Sequence, residues 1–206
     1  MTRIAIADGA TYHPGFLDRP AQEALLEAIR AVVGSAPLFQ PVMPRTGKPL
    51  SVKMTNCGTL GWVADKQGYR YQPMHPDTGA PWPAIPNTLL EMWRVLAPDT
   101  ADPEACLINW YGVTARMGLH QDRDEETFDT PVVSLSLGDT GVFRIGGTTR
   151  KSPTQSIKLQ SGDAVVFGGP ARLAFHGVDR ILPGTSKLLK EPGRINLTLR
   201  RVTPPA

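Results

Sequence analysis

Apolar residues in the first hundred positions recur at helical spacing in two places. Over Pro20–Val33 they fall on one face, the leading proline suits a first helical turn, and Asp18 is placed to cap it. Gly34 provides a stop for this helix. A second helix is predicted over Asn87–Leu96, with the asparagine as its capping residue. Each helix therefore has one apolar stripe to bury against another layer.

From about residue 105 onward the pattern changes to short apolar runs separated by Gly, Asp and Pro. Runs of about four to eight residues between turn formers are typical of β-strands. Helices followed by many strands predict an α+β, mainly β protein, in which the helices cover a sandwich or barrel. The predicted strands are Cys106–Tyr111, Val132–Leu137, Val142–Ile145, Ser156–Leu159, Ala164–Phe167 and Ile195–Val202.

The last predicted strand alternates strictly between polar and apolar residues. Ile195, Leu197 and Leu199 face one side, which we expect to lie on the helices. If the other side lines an interior, its two cations need anionic partners, and a dicarboxylate would suit them. An edge strand with solvated arginines fits the pattern equally well. The residues of this second side are Arg194, Asn196, Thr198 and Arg200.

The composition is that of an ordinary globular protein. The chain has 206 residues, 41% of them hydrophobic and 20% charged, which fits one domain with its own core. It contains no apolar run of about eighteen residues that would span a membrane. The net charge of +3 permits an anionic partner such as nucleic acid without requiring one. Two cysteines without zinc-type spacing, and no secretory pattern at the N-terminus, favour a reducing, cytoplasmic location.

Two of the four histidines lie in positions that suit a metal site. His120 and Asp122 are two residues apart, so on a strand both side chains point the same way and could bind one ion. His176, after an apolar run, is the candidate third ligand. Two histidines and one carboxylate leave positions open on an octahedral ion, as in non-haem Fe(II) oxygenases. The same spacing fits an ordinary surface pair, and His13 and His75, among turn residues, are expected on the surface.

Several longer motifs occur together along the chain in a fixed order. They are Met54–Gly58, Leu60–Trp62, Gln67–Tyr71, Pro81–Pro83, Leu107–Tyr111, Leu119–Glu125 and Arg194–Arg200. With these motifs, residues 50–201 resemble the AlkB family of Fe(II)/2-oxoglutarate-dependent nucleic-acid dealkylases, and most closely its bacterial DNA-repair enzyme. The resemblance implies a double-stranded β-helix, or jelly-roll, core with flanking N-terminal helices and a nucleotide-recognition lid.

The resemblance also divides the chain and assigns its cofactor ligands. Residues 1–206 would form a single dioxygenase domain, with an N-terminal extension and helix over about 1–50, the lid over 51–86 and the catalytic core over 105–203. Fe(II) would be held by His120, Asp122 and His176. The cosubstrate 2-oxoglutarate would be held by Asn109, Tyr111, Arg194, Asn196 and Arg200.

Further residues are implied to bind the substrate. Trp62, which would otherwise be interpreted as a core aromatic, would stack on the damaged base. Tyr69, Arg70 and Tyr71 would contact the nucleic-acid strand. A cationic lesion would be favoured by the carboxylate of Asp124, and a basic group on the substrate side would come from Arg150.

The implied activity is oxidative demethylation of bases such as 1-methyladenine and 3-methylcytosine in single-stranded DNA, with RNA as a further candidate. Fe(II), O2 and 2-oxoglutarate would be used, and succinate, CO2 and formaldehyde released. The alkylated atoms lie on the Watson–Crick edge, so the base must be unpaired or flipped. A monomer without an obligate protein partner is expected. The alternatives are a 2-oxoglutarate-dependent hydroxylase of a small molecule or protein, and a nucleic-acid-binding module with a closed, structural metal site.

Overall fold

Two antiparallel β-sheets that face each other form the centre of the structure, a computed structural model that describes residues 2–205. Helices α1 (Arg19–Ser35) and α2 (Asn87–Leu96) accompany them. The strands are β1 (Ile4–Ala7), β2 (Ala10–His13), β3 (Lys53–Gly58), β4 (Gly61–Asp65), β5 (Gly68–Gln72), β6 (Ala105–Tyr111), β7 (Met117–His120), β8 (Val132–Gly138), β9 (Thr140–Ile145), β10 (Gln155–Leu159), β11 (Ala164–Phe167), β12 (His176–Leu182) and β13 (Arg194–Arg200).

The larger sheet has seven strands in the order β1-β2-β11-β8-β13-β6-β3, and the smaller has four in the order β10-β9-β12-β7. Strands β4 and β5 form a separate hairpin. Strand β13 lies in the middle of the large sheet, where neighbours on both sides fix its register. In the part of the chain that is described, no helix is both long and apolar enough to cross a bilayer.

The apolar side chains form two clusters, one on each side of the large sheet. The first lies between this sheet and the helices, where Leu25 of α1 and Trp93 of α2 join Leu197 and Leu199 of β13. The second fills the space between the two sheets. The predicted apolar side of the last strand therefore packs on the helices, as expected from its alternation.

Helix α1 follows the predicted signals closely. The Asp18 side chain accepts a hydrogen bond from the backbone N–H of Ala21 at 2.9 Å, which satisfies one of the free donors of the first turn. The helix ends at Ser35, one residue beyond the predicted stop at Gly34.

The start of helix α2 differs from its prediction. Asn87 is the first helical residue, and the capping position is held by Pro86, whose side chain makes no capping hydrogen bond. The Pro86 carbonyl accepts from the N–H groups of Leu89 and Leu90 at 2.9 and 3.3 Å. The fixed φ of proline directs the chain into the first turn, so asparagine is not needed as a cap.

The two histidines expected on the surface are both buried. The Nε2 atom of His75 donates to the Pro37 carbonyl at 2.7 Å, and its Nδ1 accepts from the backbone N–H of Asp77 at 3.1 Å. Its ring lies 5.0 Å from that of Trp82. His13 ends strand β2 and is also covered. The prediction was wrong because the turn residues around each histidine carry no information about the distant segments that cover it.

Strands β3 to β5 fall in the stretch where the sequence has little periodicity. Strand β3 pairs with β6, and this pairing places Cys57 directly opposite Cys106, both as buried free thiols. The β4–β5 hairpin lies within the 51–86 segment for which the resemblance implies a lid. Its position beside the cavity between the sheets makes it available for that role, and the lid assignment stays a prediction.

Candidate active site

A cavity of about 520 Å³ lies between the two sheets. Its volume is in the range of small-molecule sites. The polar side of β13 forms one wall, and the hairpin contributes Trp62 and the half-exposed Tyr69. All the predicted site residues except Arg70 and Tyr71 line this cavity: Trp62, Tyr69, Asn109, Tyr111, His120, Asp122, Asp124, Arg150, His176, Arg194, Asn196 and Arg200.

The three predicted metal ligands converge in this cavity. Donor atoms of His120, Asp122 and His176 all lie within 4.8 Å of one another. Strand pairing explains this, because His120 at the end of β7 lies opposite His176 at the start of β12. Each Nε2 atom lies 3.6 Å from an oxygen of Asp122. Two imidazoles and one carboxylate on one side of a site are the ligand set of a facial triad.

The hydrogen bonds of the two imidazoles engage Nδ1 and leave Nε2 of each ring free for a metal. The Nδ1 atom of His120 donates to the carbonyl of Gly118, and that of His176 donates to the carbonyl of Ala174, both at 2.9 Å. A carbonyl can only accept, so the proton is on Nδ1 and the Nε2 lone pair points toward the partner ligands. Such hydrogen bonds fix the tautomer and orientation of metal-binding histidines.

Burial keeps the inner histidine neutral. The His176 ring lies 4.7 Å from the ring of Phe167 and 6.0 Å from that of Phe143. Burial disfavours the imidazolium and lowers the pKa of His176 to about 4. A neutral imidazole is the form that binds metals, so this environment suits a ligand at neutral pH.

The carboxylate of Asp122, a predicted ligand, remains ionised although it is buried. Burial alone would raise the pKa of Asp122, but the positive charge of Arg200 holds it well below its ordinary value. An Arg200 nitrogen donates to Asp122 Oδ2 at 2.7 Å. The carboxylates of Asp122 and Glu125 and the Tyr71 hydroxyl in turn keep the pKa of Arg200 above its ordinary value despite burial. The site thus provides an anionic oxygen for a divalent cation.

Arg194 lies deeper in the cavity with polar but uncharged partners. Its guanidinium donates to Ser136 Oγ at 2.7 Å and to the Leu159 carbonyl at 3.3 Å. Its Nε has no partner among the described residues. A Cβ on Gly141 would lie 2.9 Å from that Nε, so this glycine makes room for the guanidinium. A buried, incompletely bonded cation of this kind is a suitable partner for the carboxylate of a bound dicarboxylate.

The neighbouring polar residues complete this pocket. Register places Tyr111 opposite Arg194, and Asn109 opposite Asn196, on the same side of the sheet. The Oδ1 atom of Asn109 is buried without a partner among the described residues. Asn196 donates to Ser134 Oγ at 2.7 Å. The pocket therefore fits an oxygen-rich ligand such as 2-oxoglutarate, with the predicted metal ligands and Arg200 at its other end.

Trp62 is held at the cavity by its ring and by its N–H. The indole stacks on Tyr69 with ring centroids 5.6 Å apart and an interplanar angle of 15°. Its Nε1 donates to Asp124 Oδ2 at 2.8 Å. Arg150 also lines the cavity and lies over the Phe175 ring at 5.3 Å. An aromatic face, a carboxylate and a cation therefore border the same space.

The structure does not bring Arg70 and Tyr71 to the cavity surface. The Arg70 guanidinium donates to both carboxylate oxygens of Asp65, at 2.9 and 2.8 Å. The Tyr71 hydroxyl donates to Glu125 at 2.6 Å and accepts from Arg200 at 3.1 Å. Arg70 is therefore engaged in a partly exposed ion pair within the hairpin, and the buried Tyr71 hydroxyl connects the hairpin to the Arg200 side of the site.

Sequence reasoning missed two buried charged residues beside the site. Glu125 directly follows Asp124 in a motif that the resemblance highlighted, so its position was the available signal. Arg172 interrupts a mostly apolar stretch before His176, which is a weak signal. Their side chains approach within 3.4 Å of each other.

This geometry agrees with what comparison with known proteins finds. The model of the 2OG-Fe(II) oxygenase superfamily matches residues 9–200, nearly the whole chain, and the protein belongs to that superfamily. The alpha-ketoglutarate-dependent dioxygenase AlkB homolog of Caulobacter vibrioides (strain NA1000 / CB15N) is 56% identical, over 96% of this chain and 90% of its own. The alpha-ketoglutarate-dependent dioxygenase AlkB of Escherichia coli (strain K12) is 42% identical, over 88% and 85%. Within the superfamily the chain is a member of the AlkB family.

The fold has a solved counterpart. The structure of OsALKBH1 superposes with a TM-score of 0.80 at 32% identity, covering 97% of this chain and all of that one. The predicted jelly-roll fold, the enzyme class and the cofactor set of Fe(II), 2-oxoglutarate and O2 are thereby confirmed. The roles of individual site residues stay predictions.

Proposed function

We propose that this dioxygenase demethylates alkylated bases in single-stranded DNA, with lesions of the 1-methyladenine and 3-methylcytosine type as its substrates. The observation that carries the proposal is the Trp62–Asp124 pair, which borders the same cavity as the His/Asp/His cluster. Relatives named as DNA N(6)-methyladenine and tRNA demethylases support nucleic acid as the substrate class, with RNA as the second candidate.

The Trp62–Asp124 pair suits a cationic methylated base. An aromatic face attracts a positively charged ring, and a nearby carboxylate adds to this attraction. Since Asp124 Oδ2 accepts the indole N–H, Oδ1 is the oxygen left to accept from the base. Both 1-methyladenine and 3-methylcytosine have an exocyclic amino group beside the methylated nitrogen, and this amino group can donate to Oδ1.

The cavity favours an unpaired base. Its volume of about 520 Å³ admits one nucleotide base and no duplex. The base must leave its stack to enter, and this costs least in a single strand. We also propose that the enzyme acts as a monomer in the cytoplasm.

Three groups of site residues would have different roles in the reaction. Bound iron and 2-oxoglutarate supply the oxidising chemistry, in which O2 converts 2-oxoglutarate into succinate and CO2 and hydroxylates the N-methyl group. The His120, Asp122 and His176 cluster would hold the metal, and Arg194 and Arg200 would orient the cosubstrate carboxylates. Trp62 and Asp124 would place the methyl group against the metal. The hydroxymethyl group then leaves as formaldehyde, and the base nitrogen is restored.

The function is tested by reconstitution without oxygen, followed by air. The apo-protein is loaded with Fe(II) and 2-oxoglutarate, a single-stranded oligonucleotide with one 1-methyladenine is added, and succinate and oligonucleotide mass are measured together. We expect loss of one methyl group with matching succinate. Succinate formation without demethylation would indicate that the substrate is a small molecule or a protein instead of a nucleic acid. A folded, iron-loaded sample that formed neither product would contradict the proposal. The same assay on duplex DNA and on RNA of matched sequence ranks these nucleic acids as substrates.

Replacing Trp62 by Phe is expected to weaken use of the methylated oligonucleotide and to spare the oxidation of 2-oxoglutarate. The ring face remains, but the N–H donor to the Asp124 carboxylate is lost, a hydrogen bond to a charged group worth about 1.5–3 kcal/mol. We expect kcat/KM to fall by roughly tenfold to 150-fold. Trp62→Ala also removes stacking, worth about 1–3 kcal/mol per base, and should cost more. The measurement is kcat/KM on the oligonucleotide, with uncoupled succinate formation as the control.

Two outcomes would count against this reading of Trp62. If Trp62→Ala and Tyr69→Ala both retain full repair, the hairpin is not the base-recognition element. If Trp62→Phe and Trp62→Ala lose activity equally, the indole N–H rather than the ring face is the main contribution of the side chain.

A further inference from the structure

The predicted metal ligands lie on two separate chain segments that two side chains tie together. One segment carries His120 and Asp122, and the other leads into His176. The Gln121 amide donates to the carbonyl of Leu173 at 2.6 Å. In the opposite direction, Nη1 of Arg172 donates to the carbonyl of Asp122 at 2.8 Å. Each segment thus sends one side chain to the backbone of the other.

Arg172 is buried and does not line the cavity. Its side chain is 3% exposed, and it is absent from the residues that line the cavity within the described part of the chain. Its Nε donates to the Thr130 carbonyl at 3.0 Å, and Nη2 lies 3.4 Å from a carboxylate oxygen of Glu125. The guanidinium also covers the Phe128 ring at 5.2 Å. A buried arginine with this many partners fixes the segments around it.

Asp122 is the ligand that depends most on such support. Strand pairing joins His120 to His176 directly, but β7 ends at His120, so Asp122 lies beyond the ladder. The Arg172 hydrogen bond holds its backbone, and the Arg200 ion pair holds its carboxylate. Loss of the backbone bond would let the carboxylate move relative to the two imidazoles.

We propose that Arg172 and Gln121 are positioning residues that set the affinity of the site for Fe(II). Each acts by donating to the backbone of the opposite segment; Arg172 lies outside the cavity, whereas Gln121 also lines it. Residues that orient ligands in this way typically change metal affinity by about 10–100-fold when they are mutated. The proposal requires that His120, Asp122 and His176 bind the metal, which His120→Ala tests separately.

The test is the affinity of the apo-protein for metal, measured without turnover. Fe(II) is titrated under anaerobic conditions by calorimetry, and the visible charge-transfer band on adding 2-oxoglutarate gives a second readout. We expect Arg172→Met, which keeps the chain length and removes the donors, to raise the Kd for Fe(II) by about 10–100-fold. Arg172→Lys, which restores the charge with a single donor group, should give a Kd between those of the unmodified protein and Arg172→Met. Gln121→Met should show a smaller increase because Arg172 remains.

A matched control separates positioning from general stability. Arg201 also donates to a backbone carbonyl, that of Thr203 at 3.0 Å, and lies 3.4 Å from Glu104, away from the cavity. Arg201→Met should lower the Tm and leave the Kd for Fe(II) unchanged. An unchanged Kd in Arg172→Met, with a Tm loss like that of the control, would overturn the proposal. If Arg172→Met does not fold, unchanged Kd values in both Arg172→Lys and Gln121→Met would overturn it.

Discussion

His120→Ala is expected to abolish succinate formation and demethylation while the protein still folds and binds the methylated oligonucleotide. Its imidazole is 39% exposed, so its removal leaves no buried charge without a partner. It provides one of three donor atoms within 4.8 Å of one another. Losing a residue that only orients a ligand typically lowers metal affinity by about 10–100-fold, and losing a ligand itself should lower it further. The measurements are succinate, oligonucleotide mass, Fe(II) binding and oligonucleotide binding by fluorescence anisotropy.

The three ligands are expected to differ in their effect on stability. Asp122→Ala would also remove the closer of the two carboxylates paired with the buried Arg200, leaving Glu125 at 3.5 Å. Breaking a buried pair completely costs about 3–5 kcal/mol, so the loss here should be up to about that size. Asp122→Ala should therefore lower the Tm of the apo-protein much more than His120→Ala. His13→Ala, which removes a histidine outside the cavity, should keep the affinity for Fe(II). If His120→Ala lost folding and oligonucleotide binding together with turnover, the cluster would be a structural site.

The parts of the site that could be predicted from sequence depend on local spacing. His120 and Asp122 point the same way because they are two residues apart near the end of a strand. Strict alternation put Arg194 and Arg200 on one side of β13, and both line the cavity. Whether that side faced an interior depended on pairing with β6 and β8, which local sequence does not specify.

The parts that were missed depend on partners distant in sequence. The buried Arg172 is stabilised by groups 42 to 50 residues away, so its local sequence shows only an arginine in an apolar stretch. His75 is buried by a segment 38 residues earlier. The β4–β5 hairpin lacks a clear apolar alternation because two of its aromatic side chains make polar contacts: Trp62 lines the cavity and donates to Asp124, and Tyr71 donates to Glu125.

Arg194→Met is expected to impair cosubstrate binding while leaving the apo-protein as stable as before, or more stable. Burial lowers the pKa of Arg194 to about 10, so the group is still charged at neutral pH, and its hydrogen bonds go to neutral oxygens. Replacing a buried charge by an apolar side chain of similar length removes this desolvation cost. A bound carboxylate would gain charge-assisted hydrogen bonds worth about 1.5–3 kcal/mol. The KM for 2-oxoglutarate should rise by about tenfold to 150-fold.

Arg200→Met is the matched comparison, and its effect on stability should have the opposite sign. Arg200 is already paired with Asp122 at 2.7 Å, so its removal leaves a buried carboxylate uncompensated and should lower the Tm of the apo-protein. Thermal unfolding and 2-oxoglutarate titrations on both variants separate the two roles. An Arg194→Met protein with an unchanged KM would show that Arg194 does not bind the cosubstrate. A large loss of apo stability in Arg194→Met would show that Ser136 and Leu159 already compensate its charge, so the group would not depend on an anion.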